Sequence, residues 1–307
     1  MTVSTASAAN RGFGYKSAQA FDSALKDLFV AAAASGNYGV NELRRQFAYD
    51  RLLTRIFGDG SDRWILKGGG GLLARMPGRA RHSMDLDLFY QGQLELAIST
   101  LQTVAAADFA DFFSFDVEPG PVTDPGRARK LAITAFLGNK EFQRFKIDLV
   151  VSSNMTQQPD IVIPLSPINI PGLPVHPYRV YAVVDHLADK IAAMVEQHNG
   201  QPSSRYRDLV DIVLLANTHE FAAQDLSKAI RSEFTHRRIQ LPTTIQLPSP
   251  AWTLGYEVQA SKIRWLQQKT ATQALNTARA LFDPILNNDT SGTWNPTQLQ
   301  WSEPESS

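Results

Sequence analysis

Asp85 and Asp87 stand two apart in Met84-Asp-Leu-Asp-Leu-Phe-Tyr90, where acid and leucine alternate with the period of a β-strand. On a strand such residues share a face, so the two carboxylates project together, roughly 5–7 Å apart, while Leu86 and Leu88 face a core. Two anions so placed repel, and the strain is relieved by a cation between them or by a raised pKa. Oxygen-only donors of this kind suit Mg2+, which takes one or two carboxylates, keeps several waters and accepts substrate phosphates. Asp148, in Arg144-Phe-Lys-Ile-Asp-Leu-Val-Val151, supplies a third carboxylate between apolar Ile147 and Leu149, where a charge needs a partner. Three carboxylates on adjacent strands around metal ions form the arrangement used for phosphoryl and nucleotidyl transfer. The purely structural reading is that Asp85 and Asp87 cap a turn or pair with Arg79 and Arg81.

Before this segment lies Trp64-Ile-Leu-Lys67 followed by four glycines, Gly68 to Gly71. Glycines between a strand and a helix let backbone N–H groups approach phosphates closely, and they also make tight turns without any ligand. The lysine precedes the glycines, so the pattern is no P-loop, and no G-x-G-x-x-G opens a helix here. Ser83, two residues before Asp85, offers a hydroxyl that bonds a phosphate or holds the loop. His82 sits beside it rather than opposite it, which disfavours a serine triad, and no H-x-x-x-H pair suggests zinc. The chain has no cysteine, which excludes disulfides, thiolate metal sites and a cysteine nucleophile.

Further on, Lys190 falls at the edge of an apolar helical face with Leu187, Ile191 and Met194. A lysine there either snorkels to water or points into a cleft. Asp208 and Asp211 are neighbours on the next helix. They either pair locally, Arg205 with Asp208 and Arg207 with Asp211, or one of them orients Lys190 or an arginine, or contacts the incoming nucleotide. Basic clusters occur at Arg75, Arg79 and Arg81, at Arg127, Arg129 and Lys130, at Arg231, His236, Arg237 and Arg238, and at Lys262, Arg264 and Lys269. Each is either a solvated face or a contact for RNA phosphates. Trp252, Tyr256 and Trp265 either stack on unpaired bases or belong to the core.

These residues must be held by elements that the pattern predicts in two blocks. The first is two helices (about 15–34 and from a cap at Asn41 onward), then strand 64–67, a short helix over 72–76, strand 84–90, helix 93–107 and strands 112–117, 129–137 and 141–151. The last two strands are joined by a Gly138-Asn139-Lys140 hairpin. Six prolines in 157–177 exclude a helix or a central strand there. A short strand over 178–183 leads to helices from a cap at Asp185 to about His198, from Ser204 to about His219, from Asp225 to about Phe234 and over about 256–285. The expected fold is an α/β (α+β) domain at 1–177, a mostly α-helical domain at 178–290 and a polar, frayed tail at 291–307. With 30 Lys+Arg against 30 Asp+Glu, 43% hydrophobic residues and no long apolar run, the expectation is a soluble cytoplasmic protein, with no membrane association and no uniformly basic surface.

Lys67-Gly68-Gly69 with Arg81-x-Ser83-x-Asp85-Leu86-Asp87, followed by Leu187-Ala-Asp-Lys190-Ile-Ala-Ala-Met194 and Arg205-Tyr-Arg-Asp208-Leu-Val-Asp211-Ile212, resembles the four ordered motifs of AbiEii-type nucleotidyltransferase toxins, within the DNA polymerase β-like superfamily. The chain departs from that pattern at Gly70-Gly71, where a small or hydroxyl residue is common, and at Met84, where an acidic residue is common. The resemblance implies a nucleotidyltransferase-like N-terminal domain and Mg2+-dependent transfer of NMP from an NTP to an acceptor, with release of pyrophosphate. It implies Ser83, Asp85, Asp87, Asp148, Lys190 and Asp211 as catalytic residues, with Asp85, Asp87 and Asp148 on the metal. It implies Lys67, Gly68, Gly69, Ser83, Lys190, Arg207 and Asp208 as nucleotide contacts. It further implies a toxin–antitoxin system, a cognate antitoxin and an RNA acceptor, tRNA at its 3′ end, so that translation is blocked. Transfer of AMP to protein, and a non-catalytic binding module, are the alternatives.

Overall fold

Ser17 starts the regular structure: its Oγ accepts the N–H of Ala20 and caps α1 (Ala18–Ser35). The computed structural model describes residues 13–151, 154–164, 166, 168–197 and 199–302. α2 (Val40–Gly58) opens earlier than the Asn41 cap predicts, because the Glu42 carboxylate reaches back to the N–H of Gly39 at 2.9 Å and closes that end. β1 (Trp64–Lys67) runs into α3 (Gly68–Arg75). The glycines therefore form the first turn of the helix instead of a loop before Leu72. Gly68, at φ +54°, makes the change of direction in a region that side chains disfavour.

β2 (Asp85–Tyr90), α4 (Leu94–Ala105), β3 (Phe113–Asp124), β4 (Ala128–Leu137) and β5 (Lys140–Val150) follow the predicted order. Gly138 at φ +60° supplies the positive φ that the first position of a type II′ hairpin turn demands. The proline-rich stretch contributes β6 (Asp160–Val162), and β7 (Tyr178–Val180) comes after it. Among the described residues the strands form a seven-stranded sheet in the order β3-β4-β5-β2-β1-β7-β6. β6 lies at its edge, the position open to a proline-flanked strand.

The rest is largely helical: α5 (Val183–Val195), α6 (Tyr206–Ala216), α7 (Ala223–Arg237), α8 (Ala251–Ala260) and α9 (Ala271–Leu286). Asp185 does not cap α5. It lies in the first turn, behind Ala182, and its carboxylate accepts the backbone N–H groups of Thr156 and Gln157. The predicted end of that helix, His198, lies outside the described residues. The 256–285 region divides into two helices, the second opened by a Thr270–Gln273 capping box.

The tail is the clearest departure from expectation. β8 (Trp294–Asn295) and β9 (Gln300–Trp301) form an antiparallel hairpin. Trp294 is fully buried, its Nε1 donating to the Ala216 carbonyl at 2.8 Å, and Trp301 Nε1 donates to Leu281 O at 3.0 Å. Two tryptophans thus anchor a segment whose polar composition suggests fraying; residues 303–307 lie outside the description.

Two compact units interleave along the chain. The first comprises Met1–Leu66, His82–Ser152 and Ile161–Arg179; the second Lys67–Arg81, Ser153–Asp160 and Val180–Ser307. In the first, Phe21, Phe47, Phe113 and Phe142 pack together, with Phe113 and Phe142 edge-on at 5.0 Å. Fully buried Arg55 forks onto Asp111 at 2.7 and 3.0 Å. No helix among the described residues is long and apolar enough to cross a membrane.

If the hairpin is part of the core, Trp294→Ala should destabilise the protein by about 3–5 kcal/mol, the usual cost of emptying a buried aromatic site. Urea unfolding followed by circular dichroism measures this; a change under about 0.5 kcal/mol, typical of surface sites, would mean the tail is not anchored.

Candidate active site

β2 pairs with β5 in parallel, with Leu86 opposite Ile147, Asp87 opposite Asp148 and Leu88 opposite Leu149. Leu86, Leu88, Ile147 and Leu149 are all fully buried. Because side chains alternate, Asp85, Asp87 and Asp148 must then occupy the other face of the sheet, and all three are part-exposed there. Lys146 is opposite Asp85 on the same open face.

β4 carries Lys130 opposite Asp148, and Lys130 Nζ lies 3.3 Å from Asp148 Oδ1. The contact is an ion pair without hydrogen-bond alignment, since Asp148 Oδ1 is buried and accepts no hydrogen bond. This pairing depends on a register shift between Ala135 and Phe136 of β4. Counting outward from the hairpin without the shift would set Ile147 against Lys130. The spacing of the buried Phe142, Phe145, Ile147 and Leu149, three and then two and two, is the sequence trace of that bulge. Lys130 is legible in the sequence only as part of a basic cluster; the bulge brings it to the acid.

Ser83 is buried and its Oγ donates to Asp85 O at 2.8 Å, holding the turn into β2. Tyr49, which no motif or spacing singles out, donates to Met84 O at 2.8 Å. Burial pushes its phenol well above the ordinary range. His82 Nε2 lies 2.8 Å from Glu42 O between Tyr38 and Tyr49, and burial lowers its pKa. The segment before the acids is thereby fixed at three points. The donor set, all hard oxygens with one buried oxygen lacking a hydrogen bond, fits a divalent cation such as Mg2+. Among the described residues no three carboxylate or histidine groups stand close enough to clasp an ion with the side chains as placed.

The second unit holds the later motifs. Lys190 is buried, with Nζ 2.8 Å from Asp208 Oδ1 and 2.7 Å from Asp211 Oδ2. Arg81 closes a bidentate pair on Asp211 at 2.7 and 2.8 Å, and Arg205 reaches the second oxygen of Asp208. The Arg205–Asp208 pairing follows the helical spacing, whereas Asp211 takes Arg81 and exposed Arg207 is not its partner. Burial alone would raise the Asp211 pKa, but Arg81 and Lys190 together hold it down, to about 2. Burial alone would lower that of Lys190, but Asp211 and Asp208 carry it above the ordinary lysine range. His186, on α5, is fully buried with neither ring nitrogen hydrogen-bonded. Burial and the nearby Lys190 charge depress it to about 3.

Lys67 Nζ sits 4.1 Å over the Tyr181 ring. Gly69, Gly70 and Gly71 are buried in α3. The first basic cluster is internally partnered: Arg75 bonds Asp160 and Tyr181 O, and Arg79 lies over Trp265 at 4.4 Å. Trp252 and Tyr256 are fully buried core residues.

Two acid limbs of stability follow. A base whose pKa is depressed by folding loses stability as pH falls below its unfolded value, so His186 should weaken the fold from about pH 6.5 downward. Asp211, depressed to about 2, keeps its contribution above about pH 4 and loses it between there and pH 2. Urea midpoints measured across pH should fall along both limbs, and His186→Leu should make the first shallower, with His82 and His219, which burial also depresses, carrying the rest. At pH 7, Lys190→Met should cost about 3–5 kcal/mol by leaving buried carboxylates short of a cation.

Residues 51–293 match the family model described as the nucleotidyl transferase AbiEii toxin of type IV toxin–antitoxin systems. The fold is similar to that of MenT4, a nucleotidyltransferase toxin from Mycobacterium tuberculosis, at 15% identity and a TM-score of 0.53, covering 86% of this chain and 98% of that one. A putative nucleotidyltransferase from H. pylori aligns at 15% identity and a TM-score of 0.48, over 82% of this chain and 98% of its own. No curated protein matches. With its motifs in order and most of its length matched, the chain belongs to the AbiEii nucleotidyltransferase toxin family.

Proposed function

We propose that the protein transfers NMP from an NTP to an RNA hydroxyl, with the 3′ end of tRNA as acceptor, and so blocks translation. The observation that carries this reading is the register that sets Asp85, Asp87 and Asp148 on one open sheet face. Asp85 and Asp87 would hold Mg2+, with Asp148 completing the set. Bound there, the ion supplies positive charge to the α-phosphate and its leaving group. Asp148, released from Lys130, accepts the proton of the acceptor hydroxyl. The acceptor oxygen then bonds to the α-phosphorus as the bond to pyrophosphate breaks, and pyrophosphate leaves. The turn at Lys67, Gly68 and Gly69 offers a cation and backbone N–H groups to phosphate oxygens. Ser83 holds the loop before β2. Lys190, Asp208 and Asp211 act as positioning residues, since their charges are matched to one another and to Arg81 and Arg205; exposed Arg207 would be the nucleotide contact of that helix. A cognate antitoxin is the expected protein partner.

The test is incubation with Mg2+, each labelled NTP in turn and total tRNA. Wild type should label RNA, and Asp87→Ala should lower incorporation by about 10²-fold or more, the scale of losing one group that stabilises transition-state charge. Label appearing on protein would redirect the reading to protein AMP transfer. Equal incorporation by wild type and Asp87→Ala with all four nucleotides would leave a binding module. Lys130→Gln, by freeing Asp148, should lower the Mg2+ concentration needed for half-maximal activity; an unchanged or higher requirement would refute competition between Lys130 and the ion.

A further inference from the structure

Two adjoining open cavities, about 600 and 510 Å3, run along the surface where α7, the end of α9 and the β8–β9 hairpin meet. They share Asn288, Thr290 and Ser291 as lining residues, so they lie side by side as two halves of one grooved surface. One end is cationic: Lys228 and Arg231, one turn apart on α7, line it. Asn288 Oδ1 accepts from Arg231 Nη2 at 2.7 Å and so orients the guanidinium. Among the described residues Lys228 has no ion-pair partner, and the hydroxyls of Ser227, Thr290 and Ser291 make no hydrogen bond to protein. The other end is aromatic. Trp301 lines it, half-buried, its indole N–H tied to Leu281 O and its ring braced edge-on by Trp294 at 5.4 Å. Asp289 is the sole carboxylate along the described groove.

Two cations without a carboxylate partner at one end, free hydroxyls beside and between, and a rigid aromatic ring at the other match a phosphodiester followed by an unstacked base. The open lining differs from the enclosed pocket that a free small molecule prefers. We infer that this groove binds a single-stranded segment of the RNA acceptor, its phosphates on Lys228 and Arg231 and a base against Trp301. The inference rests on the reading that the acceptor is RNA, and it gives that acceptor a docking surface built by the C-terminal hairpin.

The experiment uses the full chain and a short unstructured oligoribonucleotide, with fluorescence anisotropy across a salt series. The double variant Lys228→Gln/Arg231→Gln should raise Kd about tenfold or more. It should also flatten the plot of log affinity against log salt by ~0.7 for each phosphate that the variant no longer neutralises. In a Trp301→Phe variant, RNA should quench less of the tryptophan fluorescence than in wild type. Circular dichroism melting checks that both variants are folded. A Kd within twofold of wild type with an unchanged slope, in a folded double variant, overturns the proposal. Competition by free NTP at concentrations matching its affinity for the whole protein would make the groove a mononucleotide site, and competition by poly-glutamate that disappears in the same variant would make it a site for acidic protein; either overturns it. Asp87→Ala keeps the two readings apart: it should bind the RNA as wild type does while failing to transfer nucleotide. Transfer that survives Asp87→Ala would refute the catalytic reading and leave the groove standing.

Discussion

The pairing of β2 with β5 is the constraint from which the chemistry follows. Leu86, Leu88, Ile147 and Leu149 fill one face with no exposure to water, and that burial fixes the register. A slip by one residue would turn these aliphatics to solvent and drive Asp85, Asp87 and Asp148 into the core. Each buried carboxylate would then carry an uncompensated desolvation cost of several kcal/mol, so the slipped sheet is strongly disfavoured. The same hydrophobic pattern that stabilises the sheet thus holds three like charges together. Their mutual repulsion on the open face is offset locally by Lys130 beside Asp148, with Lys146 opposite Asp85.

The second unit treats its acids in the opposite way. Asp208 and Asp211 are removed from water, and every charge there is answered: Lys190 between the two, Arg81 forked on one, Arg205 on the other. A lysine so enclosed has its proton held by two carboxylates and resists titration, which makes it a poor acid or base and a good structural cation. The contrast separates the two groups of motif residues by physics. Asp85, Asp87 and Asp148 keep contact with water, whereas Asp208 and Asp211 are fully desolvated and have a cation on each carboxylate oxygen.

Much of this is legible in the sequence. The D-x-D alternation places Asp85 and Asp87 on one face, and the acid inside Ile147-Asp148-Leu149 announces its strand and its need for a partner. The spacing of Arg205 and Asp208 matches their ion pair. Other features depend on contacts made across long separations. Arg81 meets Asp211 over 130 positions, whereas local spacing favours Arg207. Lys130 opposes Asp148 only because a bulge at one end of the hairpin shifts the count by one. The C-terminal hairpin is hidden because two tryptophans scattered among polar residues show no period, although each finds a carbonyl in the helical core. The glycine run reads as a loop because glycine is a poor helix former, yet packing buries Gly69 to Gly71 as a helical turn.

An acid trio on a sheet face describes how nucleotidyl transfer is done and is silent about the acceptor. At 15% identity the likeness to MenT4 carries the fold and goes no further. Acceptor choice must therefore be written in surface chemistry outside the acid trio. Three of the arginines that suggest a nucleic-acid surface in the sequence are engaged internally: Arg75 on Asp160, Arg81 on Asp211, Arg237 on Asp189, Glu196 and Glu233. In a chain of zero net charge, the cations left without a carboxylate partner are the ones open to a phosphate. Where two of them line one groove with free hydroxyls and a braced indole, as at Lys228, Arg231 and Trp301, recognition has the donors and the stacking surface it requires without a uniformly basic protein.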